Sequence, residues 1–175
     1  MHDLEVRVAD TDGAREDAFA VRRDVFVVEQ GVDETIEYDD HDATATHFVA
    51  YDTDSDADGD NTDGDSIDDD PAADGDGSAD ETGNEPIGAA RLREYEPGVG
   101  KVERVAVLES SRETGVGRAV MEAVEDEARA QGFESLKLHS QTRAAGFYRS
   151  LGYEKRGEEF EEAGIPHVEM RKSFR

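Results

Sequence analysis

The sequence contains no cysteine, no tryptophan and no long apolar run, and only 19 of its 175 residues are lysine or arginine. The lack of cysteine excludes a disulfide framework and thiolate chemistry by the protein itself. No apolar stretch approaches the roughly 18 residues of a membrane-spanning helix, and the first residues lack the basic and apolar regions of a signal peptide. We therefore expect a cytoplasmic protein with no membrane partner.

Acidic residues are abundant: aspartate and glutamate total 45, and the formal net charge is −26. Residues 53–86 hold fourteen of these acids and no lysine or arginine, which leaves a net charge of −12 on the rest of the chain. Such a charge repels itself in dilute buffer, but molar salt screens it within roughly 3 Å. The composition favours adaptation to a high-salt (halophilic) cytoplasm. The alternative is an acidic element for a basic partner; nucleic acid is excluded because its phosphates would be repelled.

Residues 53–86 interrupt two predicted strands, at 47–51 and 87–93, which we expect to pair as a hairpin. A segment of Asp, Gly and Ser with one large aliphatic residue cannot order itself by burial, so we expect it to be disordered. Long insertions at hairpin tips are tolerated because loop-closure entropy grows slowly with length. We therefore predict one domain, residues 1–175, with a disordered acidic insertion at 53–86.

Hydrophobic periodicity defines the remaining elements. Residues 4–8 alternate as a strand does, and apolar residues recur at helical spacing from Ala14 to Phe26. After the hairpin we predict a strand at 101–108, a helix at about 117–130, a strand at 136–139, a short helix at 143–151, and strands near 153–156 and 168–172. This order predicts an α/β (α+β) domain.

A glycine-rich turn connects the strand at 101–108 to the helix that follows. A helix beginning at Gly115 to Gly117 presents unpaired backbone N–H groups, and glycine lets an anion approach them closely. Arg112 and Arg118 flank the turn. These features fit a diphosphate cradle, although such a turn on its own is more often only structural.

The wider pattern resembles the GNAT acetyltransferase superfamily. There a strand reading Val-Ala-Val, as at residues 105–107, precedes an Arg-x-x-Gly-x-Gly turn, as at residues 112–117. A second motif, at residues 141–153, resembles Asn-x-x-Ala-x-x-Phe-Tyr-x-x-x-Gly-Phe, with Gln141 in place of the usual Asn. Residues 25–30, the His47 strand and residues 164–167 look like a little-characterised bacterial and archaeal branch.

The resemblance implies a mixed, mostly antiparallel sheet of six or seven strands with helices on both faces. The acyl-CoA would lie in a splay between strands 4 and 5, with the pantetheine arm inserted like an extra strand. The implied activity is acyl-CoA-dependent N-acyl transfer, with acetyl-CoA as co-substrate and direct attack by a primary amine. The acceptor would be a small-molecule or peptide amine. Members of the superfamily often form dimers, so this protein could be a homodimer.

The resemblance also implies roles for individual residues. The backbone of residues 105–107 would pair with pantetheine, and the amides of residues 114–119 would hold the pyrophosphate. Tyr148 would donate a proton to the leaving thiolate, since a phenol stays protonated at neutral pH. The implied cofactor-binding residues are Val105, Ala106, Val107, Arg112, Glu113, Thr114, Gly115, Val116, Gly117, Arg118, Ala119, Gln141, Phe147 and Tyr148.

The sequence offers several candidates for the general base. Glu103 is a candidate because it lies two residues before Val105, on the same face of a regular strand; the alternative is an ion pair. His139 ends the fifth strand near the expected cleft, and imidazole titrates near neutral pH. The acceptor pocket could be lined by Glu29, Gln30, His47, His139 and His167, each of which could instead serve packing or hydrogen bonding. A water chain could replace a single base.

Two other functions fit parts of the sequence. Asp54 to Asp65 has the spacing of a calcium loop, but its twelfth residue is Asp instead of Glu and no amphipathic helices flank it. A calcium-responsive interaction protein would depend on this segment. A non-catalytic acyl-CoA-binding module would keep the phosphate cradle but not the acceptor site. We expect no metal site in the folded part.

Overall fold

The computed structural model describes residues 4–53 and 84–174, and every structural statement below concerns those residues. The elements in chain order are β1 (Leu4–Val8), α1 (Asp12–Arg22), a π-helical turn (Arg23–Glu29), α2 (Glu34–Glu37), a 3₁₀ turn (Asp40–Ala43), β2 (Thr46–Asp52), β3 (Glu85–Glu96), β4 (Val99–Val107), a 3₁₀ turn (Glu109–Ser111), α3 (Val116–Ala130), β5 (Ser135–Gln141), a 3₁₀ turn (Thr142–Ala144), α4 (Ala145–Ser150), β6 (Glu154–Glu162) and β7 (Ile165–Ser173).

The seven strands form one sheet in the order β1-β2-β3-β4-β5-β7-β6. All neighbours are antiparallel except β4 and β5, which are parallel. This mixed, mostly antiparallel sheet confirms the predicted fold class. No helix in the described ranges is long and apolar enough to cross a membrane.

Helices cover both faces of the sheet. On one face, α3 packs Val120 and Val124 against Phe48, Leu92 and Leu136. On the other face, α1 packs small residues and Val21 against alternate positions of β2 and β3, namely Val49, Tyr51 and Ala89. Because side chains alternate along a strand, the two clusters are built from interleaved residues of the same strands.

The ends of the helices follow from local chemistry. Thr11 caps α1, where its hydroxyl accepts a hydrogen bond from the Ala14 amide at 3.2 Å. The helix then continues as the π-helical turn, a rare widening that occurs frequently at functional sites. Helix α3 is followed by Gly132 at φ +88°, a left-handed conformation in which glycine commonly ends a helix.

The predicted hairpin is present, with β2 and β3 paired from Thr46↔Leu92 to Asp52↔Glu85. Because β3 begins at Glu85, the predicted boundary of the insertion at residue 86 reaches two residues too far. Residues 54–83 of the acidic insertion, including the calcium-like spacing from Asp54 to Asp65, lie outside the described residues. Its predicted disorder stays a prediction.

The parallel pairing of β4 with β5 is short. It runs only from Val99↔Ser135 to Val102↔Leu138, while β4 continues to Val107 and β5 to Gln141. The register between β3 and β4 shifts between Ala89 and Arg91, opposite Arg104, which has φ +55°. A bulge at Arg104 therefore bends β4 where its pairing with β5 ends, and the two strands diverge.

The sheet leaves little room at Gly100, beneath α3. A Cβ atom there would lie 2.9 Å from Leu136 Cδ2 and 3.1 Å from both Leu92 Cδ1 and Phe133 Cδ2. We expect Gly100→Ala to lower the free energy of unfolding by about 1–2 kcal/mol, because overpacking displaces core side chains. Urea denaturation in molar KCl measures this. The control is Gly13→Ala in α1, where a Cβ meets nothing within 4 Å; equal stability of the two variants would contradict the packing.

Candidate active site

The diverging ends of β4 and β5 leave a gap in the sheet. Beyond Val102, β4 pairs only with β3, and beyond Leu138, β5 pairs only with β7. The side of Val105–Val107 that faces β5 therefore has no strand partner within the described ranges. Backbone N–H and C=O groups require hydrogen bonds, so this edge can accept an extended ligand as an additional strand.

The N-terminus of α3 lies directly after this edge of β4. Gly115, at φ +90°, is the N-cap residue, and no side chain caps the helix. The first hydrogen bond of the helix runs from the Ala119 amide to the Gly115 carbonyl at 3.0 Å. The amides of Val116, Gly117 and Arg118 thus lie outside the helical ladder at the positive end of the helix dipole, where they favour an anion.

The two sequence motifs touch each other at this helix end. A Cβ atom on Gly117 would lie 3.1 Å from Cζ of Phe147, so the absence of a side chain lets the ring of α4 approach the first turn of α3. The rings of Phe147 and Tyr148 are in edge contact, with centroids 5.0 Å apart. The structure therefore brings together the glycine-rich turn and the second motif.

Arg112 connects three parts of the site. Its Nε donates to the Val107 carbonyl at 3.1 Å, and its two terminal nitrogens donate to the Glu29 carboxylate at 2.5 and 2.6 Å. This hydrogen bonding from Arg112 lowers the pKa of Glu29. Next to this pair, Gln141 Nε2 donates to Gln30 Oε1 at 2.9 Å. Glu29 and Gln30, at the end of the π-helical turn, therefore contact one residue on each side of the gap: Arg112, which follows β4, and Gln141, which ends β5.

Tyr148 lies in α4 with its side chain buried. Burial raises the pKa of its phenol above the usual value, so the hydroxyl carries its proton at neutral pH. The hydroxyl has no hydrogen-bond partner in the part of the chain that the structure describes. Burial thus keeps the phenol protonated and at the same time makes it a weaker acid.

The surroundings of Glu103 argue against its predicted role as base. The bulge at Arg104 places Glu103 opposite the face of Val102, Val105 and Val107, so the prediction that Glu103 shares a face with Val105 was wrong. Bulges shift the alternation by one residue, and a sequence pattern does not reveal this.

Glu103 instead contacts three cations. Its carboxylate accepts from Arg93 Nε at 3.0 Å, lies 3.0 Å from Lys101 Nζ, and pairs with the buried Arg91. Burial alone would raise the pKa of Glu103, but the hydrogen bonds from Arg93 and Arg91 outweigh burial and hold that pKa far below its usual range. A carboxylate held in this way is a weak base, and the ion-pair alternative fits the structure.

His47 is separated from the gap by β3. Its ring is buried against Phe19, and its Nε2 lies 2.8 Å from the Asp42 carbonyl oxygen. Burial lowers the pKa of this imidazole. The geometry therefore contradicts a place for His47 in the acceptor pocket and supports the packing alternative.

His139 of β5 lies beside the gap, and His167 lies on the neighbouring strand β7. Both approach a residue that the sequence did not single out. Glu162 at the end of β6 has Oε1 at 3.5 Å from His139 Nδ1 and Oε2 at 3.8 Å from His167 Nε2. Glu162 is one of five glutamates in β6, so no pattern in the sequence separates it from its neighbours. Only the pairing of β6 with β7 brings it to the histidines.

Comparison with known proteins places the chain in a family. A model described as an acetyltransferase (GNAT) domain matches residues 78–174. YjcF of Bacillus subtilis, described as an uncharacterized N-acetyltransferase, is 36% identical over 166 residues, which are 94% of this chain and 96% of YjcF. The chain therefore belongs to the GNAT superfamily of acetyltransferases, as the two motifs predicted.

Solved structures agree with this fold. A Lactobacillus plantarum protein assigned as an N-acetyltransferase superposes with a TM-score of 0.74 at 25% identity, covering 97% of both chains. A Bacillus subtilis acetyltransferase in complex with CoA superposes with a TM-score of 0.60 at 13% identity, covering 98% of this chain and 99% of the other. At that identity the second likeness concerns the fold alone.

The ion pairs of Glu103 predict a pH dependence of stability. Because folding lowers the pKa of Glu103, its ion pairs stabilise the folded state fully at pH values above the pKa of the unfolded chain, near 4.5. This stabilisation is lost as the pH falls below that value. At neutral pH we expect Glu103→Gln to cost about 3 kcal/mol, since Arg93 and Lys101 lose their carboxylate partner and the buried Arg91 retains only Asp39 and Asp42. Below pH 4.5 this variant should lose stability less steeply than the wild type.

Urea denaturation in molar KCl across this pH range measures the effect. The matched control is Glu94→Gln, an exposed residue of the neighbouring strand β3. If both variants unfold with the same free energy and the same acid profile, the proposed ion-pair role of Glu103 is contradicted.

Proposed function

We propose that this protein is an acyl-CoA-dependent N-acyltransferase that transfers acetyl from acetyl-CoA to a primary amine by direct attack. The observation that carries the proposal is the juxtaposition of an unpaired strand edge at Val105–Val107 with the uncapped N-terminus of α3. A strand edge binds an amide-containing arm, and a helix N-terminus binds a diphosphate. Coenzyme A contains both groups, and a structural neighbour is a complex with CoA.

The residues present fit such a ligand. No atom lies within 4 Å of the position that a Cβ on Gly115 would occupy, so the turn is open to a bulky anion. Residues 114–118 would supply backbone amides, and the exposed Arg118 would supply positive charge. The Ala119 amide, which the resemblance also implied, donates to the Gly115 carbonyl within the helix instead. Arg112 would share its guanidinium between Glu29 and the diphosphate. Gln141, which hydrogen-bonds Gln30, would contact the CoA arm through its remaining polar atoms.

The chemistry requires little covalent participation by the protein. The lone pair of the amine attacks the thioester carbonyl, a C–N bond forms, and the C–S bond breaks with its electron pair on sulfur. Tyr148 would then give its proton to the thiolate. The nitrogen would lose one proton as the amide forms, and this proton would return to Tyr148 through solvent. Most of the rate enhancement would come from holding amine and thioester together.

The remaining expectations concern the setting of the enzyme. The net charge of −26 supports a cytoplasm of high salt concentration as its environment. The same charge argues against nucleic acid as a partner. Assays therefore belong in molar KCl, where self-repulsion is screened.

Charge at the helix N-terminus provides a test of CoA binding. We expect Arg118→Glu to weaken the binding of acetyl-CoA at least about tenfold, because a carboxylate beside the cradle repels the diphosphate. Isothermal titration of acetyl-CoA in molar KCl measures the affinity. The control is Arg156→Glu, the same charge reversal at an exposed position of β6. Wild-type protein that is folded but does not bind acetyl-CoA would contradict the proposed function.

Tyr148 and Tyr153 form a matched pair for testing the proton donor. Both are buried, and their ring centroids lie 5.9 Å apart. We expect Tyr148→Phe to lower kcat by about 10²-fold while leaving acetyl-CoA affinity unchanged. Tyr153→Phe should leave kcat unchanged and stability equal or higher, because the Tyr153 hydroxyl is buried without a hydrogen-bond partner in the described structure.

Steady-state kinetics of CoA release measure kcat in both variants. Wild-type kcat in Tyr148→Phe would contradict the role of Tyr148 as acid. Binding of acetyl-CoA without transfer to any amine would instead identify the non-catalytic acyl-CoA-binding module.

A further inference from the structure

Four side chains at the open end of β5 form a cluster that the steps above do not use. We define the His–Glu–His cluster as His139, Glu162 and His167, with the ring of Phe160 beside them. Glu162 approaches both imidazoles, at 3.5 Å from His139 Nδ1 and 3.8 Å from His167 Nε2. The Phe160 ring meets His139 edge-on at 4.9 Å between centroids and stacks against His167 at 6.2 Å.

The cluster borders the gap between β4 and β5. Leu138 is the last residue of β5 that pairs with β4, so His139 is the first residue of the unpaired stretch. Leu138 faces the α3 core, which places His139 on the opposite face of the sheet. Val168 of β7 likewise faces the α3 core, so His167 shares the face of His139. An acceptor reaching the gap from this face would meet the cluster.

Glu162 is available to a cationic ligand. Its side chain is 47% exposed, and within the described residues no lysine or arginine lies within ion-pair distance of it. The nearby lysines are otherwise engaged, because Lys101 pairs with Glu103 at 3.0 Å and Lys137 pairs with Glu169 at 3.0 Å. No group of histidine, aspartate and glutamate side chains in the described ranges is arranged to hold a metal ion.

Nδ1 of His139 faces Glu162, which sets the roles of the two ring nitrogens. The carboxylate accepts a hydrogen bond from Nδ1, and this bond is the main cause of a lowered pKa of Glu162. With the proton on Nδ1, the other nitrogen, Nε2, is an acceptor that is oriented by its carboxylate partner. Of the two bases that the sequence suggested beside the gap, Glu103 is held by three cations, whereas His139 is not paired to any cation.

We propose that the His–Glu–His cluster is the acceptor site, where Glu162 binds a primary amine in its ammonium form and His139 removes the proton before attack. This inference rests on the proposed function and specifies its acceptor as a cationic primary amine. One proton passes from the ammonium nitrogen through solvent to His139 Nε2, on the side of the ring away from Glu162, and the freed lone pair forms the C–N bond to the acetyl carbon. The C–S bond breaks toward sulfur. The nitrogen then gives its second proton to the thiolate by way of Tyr148, which yields the amide and the thiol, and His139 returns its proton to solvent.

Binding is tested first with n-butylamine, a minimal cationic amine, and with n-butanol as its neutral counterpart. Nuclear magnetic resonance of the histidine rings follows the titration in molar KCl, with and without saturating CoA. The variant is Glu162→Gln. The matched control is Glu161→Gln, which removes the same charge from the adjacent residue of β6, whose side chain points to the opposite face.

We expect n-butylammonium to shift the His139 and His167 signals saturably in the wild type and in Glu161→Gln. Glu162→Gln should weaken this binding about tenfold, and n-butanol should cause no saturable shift. Equal binding by both variants, equal effects of the alcohol, or shifts confined to other histidines would overturn the proposed site.

Kinetics test the role of His139. We expect His139→Gln to lower kcat/KM for n-butylamine about 10²-fold with unchanged acetyl-CoA affinity, and to remove the acidic limb of the kcat/KM pH profile. The titratable and charged groups that face His139 are Glu162 of β6, His167 and Glu169 of β7, and Lys101 and Glu103 of β4.

Three further results test the acceptor site separately from the proposed function. An acidic limb that persists in His139→Gln would overturn the base role. Wild-type protein that binds both ligands but forms no N-butylacetamide would also overturn it. Amine binding at the cluster without acetyl-CoA binding anywhere would support the cationic-amine site and refute only the proposed function.

Discussion

The bulge at Arg104 is the feature on which the rest of the site depends. It bends β4 after only four residues have paired with β5, so the strands separate and leave the edge at Val105–Val107 unpaired. The same bulge turns Glu103 and Arg104 toward the α1 face, while Val105 returns to the α3 core. One extra residue thus opens the gap between β4 and β5 and turns Glu103 away from the face of Val105.

A buried network of ion pairs holds this bulge in place. Arg104 Nε lies 2.8 Å from Glu37 Oε2, and Arg22 Nε holds the other oxygen of that carboxylate at 2.6 Å. Arg22 and Arg91 also share Asp42, at 2.8 and 2.9 Å. In a chain with 19 basic and 45 acidic residues, the buried arginines find carboxylate partners readily. The network links the bulge to α1 and to the segment after the π-helical turn.

Much of the fold could be predicted from the sequence because its signals are local. The alternation in β2 and β3, the helical spacing of α3, and the glycine turn at Gly115 each reflect contacts within a few residues. The bulge could not be predicted, since a shift of one residue in β4 leaves the Val-Ala-Val pattern intact. The position of Glu162 could not be predicted either. Strand β6 contains five glutamates, and only its pairing with β7 shows which of them lies near the histidines. His47 was misplaced for the same reason: its distance from the gap is set by the order of the strands.

The central claim is that acetyl-CoA completes the sheet at the gap. Amide hydrogen exchange in molar KCl, with and without saturating acetyl-CoA, tests it most directly. The account predicts that acetyl-CoA slows exchange at those amides of Val105–Val107 that are not bonded to β3, while the amides of Val99–Val102, already in the ladder with β5, exchange as before. Unchanged exchange at Val105–Val107 under saturating acetyl-CoA, or slowing confined to other strands, would contradict it.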